Sequence, residues 1–221
     1  MSQHIIRSIL ILCIQVNVLT GQSILPGVPA TISKSDQYLF YLHSGLVSLF
    51  GNNAINQSRP EWGPYEYYNI LDSLSQRGFR VISEIRSKAV SDSAYAFIVS
   101  RQIDTLLKRG ARPKNILVAG ASSGWDIVMR VSAMRKESKL NYVIMGGCRD
   151  NDLDYKTFVL HGHFLSIIEK SDPHGTCHRL FENKKHLKSH TEVLLNTGLS
   201  HGFLYKGHKE WIDPIVIWSH R

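Results

Sequence analysis

The sequence predicts an α/β fold, with a mostly parallel central sheet covered by helices on both faces. Three observations predict it. Short apolar runs alternate with helical segments of roughly 10 to 20 residues, the pattern of strand–helix–strand crossovers. The length of 221 residues suits one domain with a sizeable core. Composition is that of an ordinary globular chain, 43% hydrophobic and 20% charged, without repeats or low-complexity tracts.

Residues 37–42, rich in aromatic and aliphatic side chains, read as the first clear strand. Residues 51–64 hold Asn, Ser, Pro and Gly and read as a surface loop. A helix over 65–76 ends before Gly78, and residues 79–84 read as a strand. A long helix over 91–109 has Gly110 placed to cap its C-terminus. The strand 115–119 leads to a helix over 125–136. Residues 141–145 form the next strand and end at Gly146-Gly147. Residues 157–169 hold one or two strands around Gly162. A helix over 177–186, a strand over 191–195 and a helix over 209–218 complete the order. Ligands of such sheets bind beyond the carboxyl ends of the strands.

Residues 1–22 read as a secretory signal. Arg7 gives a positive start, residues 8–19 are mostly apolar, and Thr20, Gly21 and Ser23 supply small residues near a cleavage point. A buried N-terminal strand is the competing reading. The apolar run is too short to cross a bilayer, so stable membrane insertion is not expected. The expected mature chain is a single domain, 23–221, secreted or periplasmic. The formal net charge is +8, and removing residues 1–22, which hold one Arg and no acid, leaves +7. The one dense basic patch is Lys184, Lys185, His186, Lys188 and His190. No aromatic residues interleave with it, so a nucleic-acid surface is not expected. It reads as a solvated helix face, with an anionic substrate compatible with the charge. Cys148 and Cys177 either pair in an oxidising compartment or stay as two buried thiols. Asn56-Gln57-Ser58 is a glycosylation acceptor if a eukaryotic secretory pathway makes the chain.

Gly120-Ala121-Ser122-Ser123-Gly124 lies between the strand 115–119 and the helix 125–136. A serine on such a turn is pushed out of the sheet edge with its hydroxyl exposed. The flanking glycines permit the sharp bend and leave room for the helix to start. This is the geometry of a nucleophile elbow, and it points to acyl transfer. A serine hydroxyl needs a base to take its proton, and the base needs an acid to orient it. Asp172 follows the apolar run 164–168. Asp150, Asp152 and Asp154, after the strand 141–145, are the alternative acids. His201 lies in a Gly-flanked loop between the last strand and the last helix. His161, His163, His174, His178, His186 and His208 are its competitors. His174 and His178, with Cys177 beside them, have the spacing of metal ligands on a helix turn, but no fourth ligand is evident and no metal is expected. The N–H of Ser123 is one expected donor to the oxyanion, and the N–H of Ser44 or Gly45, in His43-Ser44-Gly45, is the other.

These features together resemble a small, lidless, esterase-like α/β-hydrolase over about residues 37–220: the His43-Ser44-Gly45 loop, the Gly120–Gly124 elbow, Asp172 and His201-Gly202. Ser44 departs from the pattern, because glycine is common there. The resemblance implies hydrolysis of an ester, thioester or related acyl bond in a small-molecule substrate, with no cofactor and no metal. The short polar stretch 148–155 leaves no large lid and implies a shallow site. Two rival readings stand beside it. One is a non-catalytic binding domain on a hydrolase scaffold. The other is a short-chain dehydrogenase binding NAD(P), with Gly120–Gly124 as the nucleotide turn, Asp150 on the ribose, and Tyr205 and Lys209 at catalytic spacing. Against that reading, Trp125-Asp126 stands where the third glycine belongs, and at least two strands precede the turn.

Overall fold

The structure is a computed structural model that describes residues 23–137, 139–148, 158–182 and 184–220. The expected leader 1–22 and the acids Asp150, Asp152 and Asp154 lie outside the described residues, as does most of the stretch 148–155.

Nine strands and six α-helices are described: β1 (Ile24–Leu25), β2 (Gln37–Leu42), α1 (Gly45–Phe50), β3 (Ala54–Ile55), β4 (Pro64–Tyr65), α2 (Tyr67–Gln76), β5 (Phe79–Ile82), α3 (Asp92–Lys108), β6 (Ile116–Ala121), α4 (Gly124–Met134), β7 (Asn141–Met145), β8 (Gly162–Glu169), α5 (His178–Phe181), β9 (Leu187–Leu195) and α6 (Lys209–Ser219). The main sheet has seven strands in the order β1-β5-β2-β6-β7-β8-β9. Every pairing in it is parallel. The expected architecture is therefore observed.

The strands alternate their apolar side chains between two cores, as the pleat requires. Tyr38, Phe40 and Leu42 of β2, Ile116 and Val118 of β6, and Tyr142 and Ile144 of β7 join α3 and α4 on one face. Leu39, Tyr41, Leu117, Ala119, Val143 and Met145 join α2 and α6 on the other. Each fully buried Leu, Ile or Phe stabilises the fold by roughly 1.5–3 kcal/mol over leaving it exposed. Both sheet faces are thereby fixed, and the carboxyl ends of β2, β6, β7, β8 and β9 are presented along one rim.

Several boundaries differ from expectation. The helix expected from residue 65 starts at Tyr67, because Pro64 and Tyr65 pair antiparallel with Ile55 and Ala54. The expected loop 51–64 thus carries β3 and a 3₁₀ turn over Pro60–Trp62. The helix expected over 177–186 is only His178–Phe181, and the following strand extends back to Leu187. Lys188 and His190 of the basic patch therefore sit on edge strand β9, not on a helix face. Among the described residues of the region 157–169 there is one strand, which starts at Gly162. Gly162 has φ 85°, and a Cβ there would collide with the Leu140 carbonyl and the Tyr142 ring. Among the described residues, no helix is long and apolar enough to cross a membrane.

Candidate active site

Ser122 follows β6 directly and has φ 50°, a left-handed backbone that side chains other than glycine seldom adopt. The strain is held by its surroundings. Its N–H donates to the Met145 carbonyl at 2.9 Å, and its own carbonyl accepts from Trp125 at 2.9 Å. A Cβ at Gly120 would collide with the Gly124 backbone, and a Cβ at Gly124 would collide with the Leu42 carbonyl. The two glycines let the strand, the turn and the start of α4 pack without space for a methyl group.

The hydroxyl, an imidazole and a carboxylate form one series. Ser122 Oγ lies 2.9 Å from His201 Nε2, and His201 Nδ1 lies 2.7 Å from Asp172 Oδ2. With Nδ1–H donating to the carboxylate, Nε2 keeps the lone pair that accepts the serine proton. Burial pushes the Asp172 carboxyl up, but hydrogen bonds and charge from His201, with hydrogen bonds from His174, hold it below the usual carboxylate range. The Asp172 side chain is 1% exposed and that of His201 is 11% exposed, so the pair works away from bulk water. His174 joins the group from the other side. Its N–H and Nδ1 lie 3.1 and 2.9 Å from Asp172 Oδ1.

Buried Glu169, the last residue of β8, ties the acid loop to the histidine loop. It accepts from the Thr197 N–H at 3.0 Å, the Thr197 hydroxyl at 2.7 Å, and the N–H and hydroxyl of Ser171. Ser200 N–H in turn donates to Ser171 Oγ at 3.0 Å. Burial raises the Glu169 carboxyl, but these donors outweigh it and leave the group below its ordinary value. Gly146 closes the floor. Its backbone has φ 54°, and a Cβ there would lie 3.1 Å from His201 Cε1.

The loop after β2 meets the elbow. A Cβ on Gly45 would lie 3.1 Å from Ser123 Oγ, a hydroxyl that is buried without a hydrogen-bond partner among the described residues. Ser123 and Gly45 stand at the starts of α4 and α1, where N–H groups have no helical acceptor. Ser44 Oγ caps α1 by accepting from Leu46 N–H. His43 is fully buried and fixes the loop from behind. Its Nδ1–H donates to the Ser44 carbonyl at 2.8 Å, and its Nε2 accepts from the Arg86 N–H at 2.9 Å. Burial, then the Arg86 charge, depress its pKa to about 4, so the ring stays neutral.

A cleft of about 760 Å³ adjoins this rim from the histidine side; Ser122 is not part of its lining. Ser171 and Pro173 border it from the acid loop, Ser200 and Gly202 from the histidine loop, and Trp62 from the 3₁₀ turn. The Trp62 ring sits 6.0 Å from that of His201.

Solved structures with a similar arrangement of chain include proteins described as esterases, lipases and hydrolases. A putative α/β hydrolase of unknown function from Agrobacterium tumefaciens is 20% identical, with 86% of each chain covered and a TM-score of 0.57. An esterase/lipase from an uncultured bacterium is 14% identical over 88% of this chain and 77% of that one, with a TM-score of 0.57. The chain has the α/β-hydrolase fold. A monoacylglycerol lipase from Paleococcus ferrophilus, 15% identical, superposes over 87% of this chain and 95% of its own with a TM-score of 0.53. No protein-family model and no curated protein sequence matches the chain.

Within this α/β-hydrolase fold, Ser122, Asp172 and His201 come together, and Ser123 and Gly45 abut beside them. Of the competing histidines, His174 stands beside the series, His208 lines the adjoining cleft, and the others have different partners. His163 bonds Ser189, His161 lies against His186, and His178 pairs with Glu182. His174 and His178 do not form a metal pair with Cys177, because Cys177 is in a disulfide with Cys148. Asp172, His174 and His201 do bring three ligand atoms within 4.8 Å of one another, but those atoms are engaged in the hydrogen bonds given above. Tyr205 is buried against Tyr65 and Trp62, and Lys209 pairs with Asp213. Glu169 and Trp62 were not singled out by sequence, His43 was read only as part of the His43-Ser44-Gly45 loop, and His174 only as a competitor to His201 or a metal ligand. The distant partners of His43 and Glu169, Arg86 and Thr197, lie 43 and 28 residues away, beyond any local pattern.

Proposed function

We propose that this chain is a serine hydrolase that cleaves an ester, thioester or related acyl bond in a small substrate. The observation that carries the proposal is the unbroken series Ser122–His201–Asp172, on a serine held at positive φ. His201 Nε2 takes the hydroxyl proton as Ser122 Oγ attacks the carbonyl carbon. Asp172 keeps His201 in the Nδ1–H tautomer and stabilises the imidazolium that forms. The N–H groups of Ser123 and Gly45 receive the negative oxygen. Ser44, the other candidate donor in that loop, supplies the helix cap. Collapse of the tetrahedral species transfers the proton from His201 to the leaving group. Water then repeats the sequence on the acyl-enzyme, releasing the acid and restoring Ser122.

The Cys148–Cys177 disulfide supports export to an oxidising compartment, secreted or periplasmic. A serine-directed fluorophosphonate tests the chemistry. Stoichiometric labelling that Ser122→Ala abolishes is the expected result. A folded protein that takes no label refutes the proposal.

A further inference from the structure

Acyl transfer sends the two oxygens of an ester to different sides of the serine. The carbonyl oxygen turns toward the N–H groups of Ser123 and Gly45. The leaving oxygen must face His201 Nε2, which returns a proton to it. The alcohol half of the substrate therefore lies on the histidine side. The cleft of about 760 Å³ opens on that side, bordered by Ser200 and Gly202, which flank His201, and by Trp62. Its volume is within the roughly 300–1,000 Å³ of small-molecule sites.

We propose that this cleft is the leaving-group site and that it takes an uncharged, polyhydroxylated ring: a sugar esterified through one of its hydroxyls. The inference deepens the serine-hydrolase reading above and rests on it. Two features of the lining choose this class of alcohol.

The first is the indole nearest the reaction. The Trp62 ring sits 6.0 Å from that of His201 and edge-on to Tyr205 at 5.5 Å. A Cβ on Gly202 would lie 2.7 Å from Trp62 Cγ, so the indole is seated directly on the histidine loop. A rigid aromatic surface suits the C–H face of a ring better than a flexible chain. The Arg59 guanidinium lies 6.0 Å from the Trp62 centroid. Its ion pair with Glu61 spans 3.7 Å between side chains that are more than half exposed, and such pairs are worth about 1 kcal/mol at most. Arg59 therefore shifts to the edge of a ligand at little cost.

The second feature is balance of charge. Arg59 has Glu61 beside it, and Lys206 Nζ lies 3.4 Å from Glu66 Oε1. His208 borders the same cleft and offers a donor or an acceptor, according to which ring nitrogen meets the ligand. An anionic alcohol would meet a carboxylate next to each of these two cations. An apolar alcohol would dehydrate ionised groups and give them no hydrogen bonds in return. Hydroxyl groups both donate and accept, so neighbouring hydroxyls of a sugar satisfy a cation and a carboxylate together. In the reaction His201 passes the proton taken from Ser122 to the sugar oxygen as its bond to the acyl carbon breaks. The sugar departs with that hydroxyl restored, and the acyl group stays on Ser122 until water removes it.

The test compares three acetates of primary alcohols on six-membered rings, at pH 7 with the full chain. They are methyl 6-O-acetyl-glucopyranoside, cyclohexylmethyl acetate and 4-(acetoxymethyl)cyclohexanecarboxylate. Each kcat/KM is divided by the rate of that ester with hydroxide, which removes intrinsic reactivity. The wild type is expected to favour the sugar ester over both others by about tenfold or more. Trp62→Ala and Glu61→Ala are each expected to lower that preference by about threefold or more; taking the ratio within one variant cancels any general loss of turnover. Equal values in the wild type, or a preference for the carboxylate or the cyclohexyl ester, overturn the proposal whether or not the variants fold. A preference that survives unchanged in Trp62→Ala does the same. Fluorophosphonate labelling of the wild type separates the two levels. A labelled enzyme without the preference loses the sugar site alone, and a folded protein that takes no label removes the hydrolase reading beneath it.

Discussion

The neutral, buried His43 makes the stability of this fold depend on pH in a window that can be worked out. Its folded pKa is about 4, against an ordinary value of 6.5. A depressed histidine pKa means that the unfolded chain binds the extra proton first. Stability from this group is full above the unfolded value and is lost as pH falls toward the folded one. Between pH 7.5 and 5, titration at those two values removes about 2 kcal/mol. His190, half-buried and lowered to about 4 by desolvation, acts in the same direction. Asp172 and Glu169, with depressed carboxyls, lose their contributions only at lower pH. His43→Asn separates the terms. It keeps a donor for the Ser44 carbonyl but leaves the buried Arg86 N–H without its acceptor, which costs about 1–3 kcal/mol at pH 7.5. It also removes the proton-linked loss. Urea unfolding at the two pH values should therefore show wild type and variant far apart at pH 7.5 and nearly equal at pH 5. Equal pH dependence in both proteins would refute the assignment of His43 as a neutral brace behind the loop that follows β2.

Asp172→Asn should lower kcat roughly 10⁴-fold with little change in melting temperature, because the amide favours the wrong His201 tautomer; near-normal turnover in steady-state ester hydrolysis would contradict this. Replacing Cys148 and Cys177 with Ser opens a cross-link spanning 29 residues and should cost about 3–4 kcal/mol in urea unfolding. Gly146→Ala should lower kcat more than ten-fold, since the new methyl group strains a positive φ and crowds His201; unchanged kcat would show that the floor of the site yields freely.

The fold was legible because its strands are short apolar runs and its long helices, α3 above all, carry clear caps. Ser91 accepts from Ala94 N–H at the start of α3, and Gly110 has φ 97° just past its end. Ser122, Asp172 and His201 were legible because each follows a strand that the apolar runs mark. The short elements were not. α1 spans six residues and β1 two, too few to show a period. The helix over 177–186 was misread because the disulfide and the pairing of β9 with β8 override local propensity there. The supporting residues were hidden for a different reason. His43 looks like an ordinary turn residue until Arg86 is beside it, and Glu169 looks like the end of a strand until Thr197 and Ser171 close around its carboxylate.

The central claim is that Ser122, His201 and Asp172 act as one unit. The most direct measurement is turnover of small p-nitrophenyl esters by Ser122→Ala, Asp172→Asn and the double variant, each checked for an unchanged melting temperature. The account predicts a loss of about 10⁴–10⁶-fold in Ser122→Ala, with the double variant no worse than Ser122→Ala alone. Activity within tenfold of wild type in Ser122→Ala, or losses that multiply in the double variant, would contradict it.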